Sequence, residues 1–267
     1  MAREGTRVAR GIVRLSGPIE EQAAFLQDLV TNDVGRAVPG APAYAALLTP
    51  QGKYLADFLI LKGEAGFALD TAPALAEPLE RRLRMYLLRR PLTLERAEEQ
   101  VGLVWGTDEA PEGAERDPRH PALGWRLYGA RADEAPADGD LLAHRLGLGI
   151  PEGGTDLVPN DTYPLEAGFE ALSGVDFRKG CYVGQEVTAR MKHKAELRKG
   201  YRRVRLSGAG EIGAEIRTAD GRPAGTLYSN ADGLGIAHLR LDRAESADTL
   251  AFEGGTVEEI RSMPEKF

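Results

Sequence analysis

Apolar residues recur along the chain with two different periods, and the changes of period mark out its elements. In "GPIEEQAAFLQDLVTND", Ile19, Ala23, Leu26 and Val30 fall on one face at helical spacing. Gly17 stands at an N-cap position, Pro18 at the first helical position and two glutamates in the first turn, so a helix is predicted to about Thr31. "AYAALLTPQGKYLADFLILK" reads instead as two strands around a tight turn at Pro50-Gln51-Gly52, with proline and glycine where a type I turn accepts them. A second helix is predicted to open near Pro78. Leu79, Leu83, Tyr86 and Leu87 form its apolar face, and Arg81, Arg82, Arg84, Arg89 and Arg90 ring the rest. Short strands follow around Leu92–Leu94 and Leu103–Trp105.

From Asp108 to Asp140 the periodicity lapses into an acidic stretch rich in proline, glycine and alanine, a surface loop broken by the strand-like "LGWRLYG". "GDLLAHRLGLG" is a short helix stopped by glycine, and "QEVTARMKHKAEL" has helical composition with its start at or near Gly184. After Tyr201 the chain changes character. "YRRVRLSG", "GTLYS", "LGIAHLRL" and "GGTVEEI" are short strands between turn residues, the spacing of a small β-barrel or sandwich. The pattern predicts an α+β protein divided into residues 1–197 and a C-terminal β domain, 198–267.

At 267 residues, 42% hydrophobic and 28% charged, the composition is that of a soluble globular chain of one large or two ordinary domains. No stretch approaches 18 consecutive apolar residues, so no membrane span is expected, and "MAREGTRVARG" lacks the apolar core of an export signal. The single cysteine cannot form an internal disulfide. That fits a reducing cytosol, so a cytoplasmic location is expected, and no zinc or iron–sulfur site can be held by cysteines of this chain alone. Net charge is 34 − 41 = −7, which argues against nucleic acid as a general partner.

The charge is unevenly spread. Arg178, Lys179, Arg190, Lys192, Lys194, Arg198 and Lys199 face only Glu186 and Glu196 over the same span, and Arg202 and Arg203 follow. A local cationic excess on an acidic chain points to an anionic ligand or partner. The lone thiol, Cys181, stands among these cations in "FRKGCYVGQEVTAR". Glycines on either side let other groups approach, and Arg178, Lys179 and a helix start just downstream would all favour a thiolate. Of the histidines, His120, His144 and His238 read as structural, while His193 lies in the basic segment.

"KGCYVGQE" resembles the Lys-Gly-Cys-Tyr-x-Gly-Gln-Glu signature of the YgfZ-type folate-binding proteins, relatives of the glycine-cleavage T-protein that support maturation of iron–sulfur enzymes. "FLQDLVTNDV", "LLTPQGKYLADFLI", "LRMYLLRR" and "PLEAGF" are similar to further landmarks of that family, and "LGIAHLRL" to its closing barrel; the form of the motif is closest to the mitochondrial-type branch. The resemblance implies a three-lobed T-protein-like fold, with two α+β lobes and a small β-barrel around a central cavity. It also implies tetrahydrofolate as cofactor, and iron–sulfur client or assembly proteins as transient partners. By position, Lys179, Gly180, Cys181, Tyr182, Gly184, Gln185, Glu186 and Arg190 match the functional motif, with Cys181 as the reactive residue. Asn32, Asp33, Gln51, Gly52 and Lys53 match cavity-lining segments. Glu166 is added on chemical grounds, as a carboxylate suited to a pterin edge.

Two departures argue against aminomethyl transfer. "LDTAPALAEPL" lacks the asparagines of the transferases and offers only Glu77 as an acid, and Gly147 in "RLGLG" stands where a glutamate is expected. Three readings remain. One is a folate-binding accessory factor for [4Fe–4S] enzymes. The second is a folate-dependent one-carbon transferase or demethylase using Glu77, Asp57 or Glu166. The third is an RNA- or protein-interaction module built on the basic face.

Overall fold

The computed structural model describes residues 3–193 and 197–261. Lys194 and Glu196 of the basic run, and the far end of the helix predicted there, lie outside the described residues. The chain opens with β1 (Glu4–Ser16), α1 (Ile19–Gln27), β2 (Ala43–Leu48), β3 (Tyr54–Gly63), β4 (Gly66–Thr71), α2 (Pro73–Leu87) and β5 (Thr93–Trp105). The short strands β6 (Glu115–Arg116) and β7 (Trp125–Leu127) follow, then α3 (Leu141–Leu148) and α4 (Gln185–His193).

The seven strands form one antiparallel sheet in the order β2-β3-β4-β1-β5-β7-β6. β1 and β5 pair along their whole length, from Glu4 opposite Trp105 to Ser16 opposite Thr93. β4 meets only Gly11–Arg14 of β1, and β7 only Gly102–Val104 of β5. This long ribbon therefore serves both lobes. One end carries the main core under α1 and α2, and the other carries small clusters around Trp105 and Leu127.

Several predicted boundaries move, each for a tertiary reason. α1 ends at Gln27 rather than Thr31, because Val30 leaves the helix to bridge Leu47 and the Thr31 amide donates to the Ala46 carbonyl. α2 opens at Pro73, whose ring is preset for a first helical position, and Pro78 falls inside the helix. The strands expected at Leu92–Leu94 and Leu103–Trp105 are the two ends of β5. Its polar middle stays in the ladder because β1 supplies every backbone partner. β1 itself is hidden from pattern reading by Arg7, Arg10 and Arg14, which interrupt its apolar alternation.

The remaining strands, β8 (Lys199–Leu206), β9 (Glu215–Thr218), β10 (Pro223–Ala231), β11 (Leu234–Arg240), β12 (Leu250–Phe252) and β13 (Gly255–Arg261), close into a barrel in the order β10-β11-β8-β13-β12-β9, with α5 (Leu241–Ala244) between β11 and β12. Closure leaves no sheet edge unpaired, and Ile216, Ala224, Leu227 and Leu239 fill the interior. Buried polar contacts hold the barrel to the rest. The Tyr201 hydroxyl donates to the Asp156 carbonyl at 3.0 Å, the Ser229 amide to Asp156 Oδ1 at 2.9 Å, and Arg145 to both Ser229 Oγ and Asp156 Oδ2. Among the described residues no helix is long and apolar enough to cross a membrane.

Candidate functional site

Cys181 is exposed. It lies in the loop ahead of α4, and its neighbours fasten that loop from three sides. Lys179 points inward, where its ammonium donates to the carbonyls of Gln27, Val30 and Asn32 at 2.8, 2.5 and 3.1 Å. All three of its protons are thus used on the turn that ends α1. Burial lowers its pKa to about 8, against the pull of Asp33 and Asp28. Tyr182 is buried in the main core beneath the ammonium, with its ring centroid 5.1 Å from Nζ, and burial raises its phenol to about 12. Gly184, at φ +86°, packs against the Thr49–Lys53 turn. There a Cβ would lie 2.6 Å from the Thr49 carbonyl oxygen and 3.0 Å from Gly52 Cα, so only glycine permits the approach.

The electrostatic setting differs from the expected one. Lys179 was expected beside the thiol, yet it is turned away and engaged by backbone carbonyls. Arg178 is exposed, and its amide donates to Asp176 Oδ1 at 2.7 Å. Gln185 is the first residue of α4, its amide bonded to the Tyr182 carbonyl at 3.2 Å. Glu186 and Arg190 are exposed on the same helix, as is His193 at its end. Lys192 is held by Glu170 at 2.6 Å.

The other expected residues divide into two groups. Asn32 and Asp33 belong to the turn that receives Lys179. The Asn32 amide donates to the Tyr44 and Ser173 carbonyls and its Oδ1 accepts from the Asp33 amide, while Asp33 Oδ1 caps the Gly35 amide. Gly52, at φ +73°, lies against Val187 of α4, with exposed Gln51 beside it. Lys53 reaches toward Asp161 at 3.8 Å and the Tyr163 ring. Glu166 is elsewhere, where its Oε2 meets His238 Nε2 of the barrel at 3.1 Å.

None of these residues lines the charged cavity of 370 Å³ between the sheet, α3 and the segment around Glu152. The cavity joins apolar walls, Val8, Leu103, Leu123 and Leu141, to a network of buried ions. Arg10 binds Asp70 at 2.6 Å and Glu152 at 3.0 Å, and Arg126 bridges Asp70 at 2.9 Å to Asp117 at 3.0 Å. Arg119 binds Asp117 at 2.8 Å and Glu152 at 3.5 Å. Burial alone would raise these carboxylates, but the arginines prevail: Asp70 and Asp117 are lowered, and Glu152 falls to about 2. Asp57 behaves in the opposite way. Buried behind Gly153, it is bonded by no arginine among the described residues, and burial and Glu152 raise it against the charge of Arg119 and hydrogen bonds from Tyr54 at 2.6 Å and Tyr44 at 2.9 Å. Arg10, Asp70 and Arg126 did carry a sequence signal, since each is a charge inside a strand. Walls of this kind beside a carboxylate edge can hold a flat, donor-bearing ring with an anionic tail.

Residues 198–262 match the CAF17 C-terminal beta-barrel domain family. The chain is similar to the mitochondrial iron-sulfur cluster assembly factor IBA57 of Mus musculus, 35% identical with 86% of this chain and 75% of the relative covered. The Homo sapiens protein of the same name is 33% identical, with 96% and 83% covered. Among solved structures, the glycine cleavage system aminomethyltransferase T from Bartonella henselae superposes with a TM-score of 0.73 over 99% of this chain and 88% of that one, at 15% identity. The T-protein-like fold with a closing barrel expected from the sequence is the fold observed. The expected cytoplasmic location is overturned, since these relatives are named mitochondrial. A single cysteine cannot form an internal disulfide in any compartment, so its presence never specified one.

Proposed function

The chain belongs to the iron-sulfur cluster assembly factor IBA57 family, and we propose on that premise that it serves the assembly or repair of [4Fe–4S] enzymes, with Cys181 as its working group. The observation that carries this reading is the mounting of the thiol. The chain's only cysteine is exposed on a loop fixed by Lys179, Tyr182 and Gly184. Among the described residues no group of three or more His, Cys, Asp or Glu is placed to hold a metal ion. Cys181 would therefore act on a cluster whose other ligands come from a client or assembly protein. The narrower YgfZ-type label rests on the Lys179–Glu186 motif.

Tetrahydrofolate is the proposed ligand of the charged cavity. Val8, Leu103, Leu123 and Leu141 would face the rings, the Glu152 carboxylate would accept from the pterin edge, and Arg10 and Arg119 would keep that carboxylate ionised. The bound folate would supply a one-carbon carrier or a reductant. The expected contacts at Asn32, Asp33, Gln51, Gly52, Lys53 and Glu166 act in this proposal as scaffold around the Cys181 loop and the barrel. Gly147, standing where the transferases carry glutamate, supports a chain without aminomethyl transfer.

Two measurements test the reading. Tetrahydrofolate titrated into the protein should bind saturably, and Glu152→Gln should weaken it about tenfold; equal affinity of the variant would remove the cavity from the proposal. Cells lacking the gene should lose activity of a [4Fe–4S] enzyme such as aconitase at unchanged polypeptide level, and full activity there would overturn the assembly role.

A further inference from the structure

Among the described residues, the two most exposed large apolar side chains stand three positions apart at the end of α2, Met85 at 63% and Leu88 at 89%. Leu88 also occupies a turn that suits it badly. The Arg90 amide donates to the Leu87 carbonyl at 2.9 Å, and Leu88, at φ +49° and ψ −110°, takes the first central position of a type II′ turn. Glycine is the usual residue for that backbone, and a polar side chain for that exposure. Leucine meets neither demand, so the fold alone does not account for it. Ala74, Pro78, Arg81, Met85 and Leu88 are all exposed and follow one another at spacings of four and three, which makes them one stripe along α2. Beside the stripe lies a groove of 460 Å³ with a buried apolar floor of Leu47, Leu75 and Leu79. Thr49 lines the same groove, and Gly184 of the Cys181 loop is packed against its carbonyl. The groove and the thiol's loop therefore share one turn.

The charge around the stripe has one sign. From Arg81 to Arg90 the sequence holds five arginines and no acid. Arg81 and Arg89 are exposed and, among the described residues, form no ion pair. Glu80 does not balance them, because Arg84 and Arg96 already hold it at 2.7 and 3.1 Å. We propose that this face docks an amphipathic helix of another protein, its apolar side chains in the groove and against Met85 and Leu88, its Asp and Glu side chains on Arg81 and Arg89. The inference rests on the proposed assembly role and says how the partner is held: the helix belongs to the iron–sulfur client or assembly protein and is seated at the turn that carries the Cys181 loop. Apolar knobs at spacings of three and four beside a groove are the complement of a helix face, and unpaired exposed arginines select carboxylates. A bilayer fits poorly, because a flat surface does not reach the floor of a groove and two apolar side chains are too few to hold it. A second copy fits poorly too, since α1 brings Glu20 and Glu21 but its Phe25 and Leu26 are buried in this chain's own core.

The test restores cells lacking the gene with wild type, with Leu88→Gly or with the pair Arg81→Glu and Arg89→Glu, at matched levels. Leu88→Gly relieves the turn, so the purified variant should melt about 2–4 °C higher than wild type and yet restore aconitase activity about tenfold less well. The arginine pair should show the same loss of rescue while melting within about 2 °C of wild type. With the photo-cross-linker p-benzoylphenylalanine at the exposed position 85 and every other side chain native, the chain should be joined to an iron–sulfur protein at a helix bearing Asp and Glu. Full rescue by either variant would overturn the docking face and leave the assembly role standing, whereas full aconitase activity in the deletion strain would remove the role on which the inference rests. A lower melting temperature for Leu88→Gly, or cross-links only to phospholipid or to a second copy, would also overturn it.

Discussion

Gly180 and Gly184 bracket the same cysteine, yet their surroundings separate them. Nothing lies within 4 Å of a Cβ built on Gly180, whereas one on Gly184 meets the Thr49 carbonyl at 2.6 Å on a backbone already at φ +86°. Gly184→Ala should therefore cost about 2–3 kcal/mol, and Gly180→Ala less than about 0.5 kcal/mol, as read from urea unfolding midpoints. Equal losses would contradict the packing of this loop on the Thr49–Lys53 turn. The sequence placed Cys181 in a glycine-bracketed loop before a helix, because glycine spacing and helical composition are local signals. It misdirected Lys179, because adjacency along the chain does not say which way a long side chain points. The three carbonyls that receive its ammonium come from residues about 150 positions away, with separations of 152, 149 and 147.

At the scale of elements, α2 crosses β1 where Gly11 faces Ala76. A Cβ on Gly11 would fall 2.3 Å from that of Ala76, so the helix is seated by the missing side chain. Gly11→Val should force the helix off the strand and lower stability by about 3 kcal/mol, measured by chemical denaturation. A loss under about 0.5 kcal/mol would show that the helix is not seated there. The hairpin of β2 and β3, the two early helices and four of the six barrel strands were legible because apolar periodicity reports them directly, whereas β9 and β12 are too short to show one. β1 and the middle of β5 were not. Each is partly polar and is held extended by the other's hydrogen bonds, which no single-segment pattern contains. The early end of α1 has the same origin, since Val30 is buried by Leu47 of another strand.

Across the whole molecule, the charged cavity ties β1, β4, β7 and the segment around Glu152 into one unit. Its pairings join residues as far apart as Arg10 and Glu152, 142 positions along the chain, which is why single charges in strands could be noticed but their network could not be assembled from sequence. The network also sets the response to acid. Glu152 titrates near 4.5 when free and near 2 in the fold, so the unfolded chain takes up its proton first. The stability it contributes is complete above about pH 4.5 and is lost as pH falls toward 2. Glu152→Gln should make the stability profile shallower over that window by about 1.4 kcal/mol per pH unit. Parallel profiles for variant and wild type would contradict the depressed carboxylate.

The proposed function turns on Cys181 doing the work in a cell, with the rest of the fold presenting it. The direct measurement is aconitase activity in cells lacking this gene, after restoring either the wild-type protein or Cys181→Ser at matched levels. The wild type should restore activity and the serine variant should not, although serine would occupy the same exposed loop position with nearly the same volume. Equal rescue by both proteins would contradict it and leave the thiol without a role.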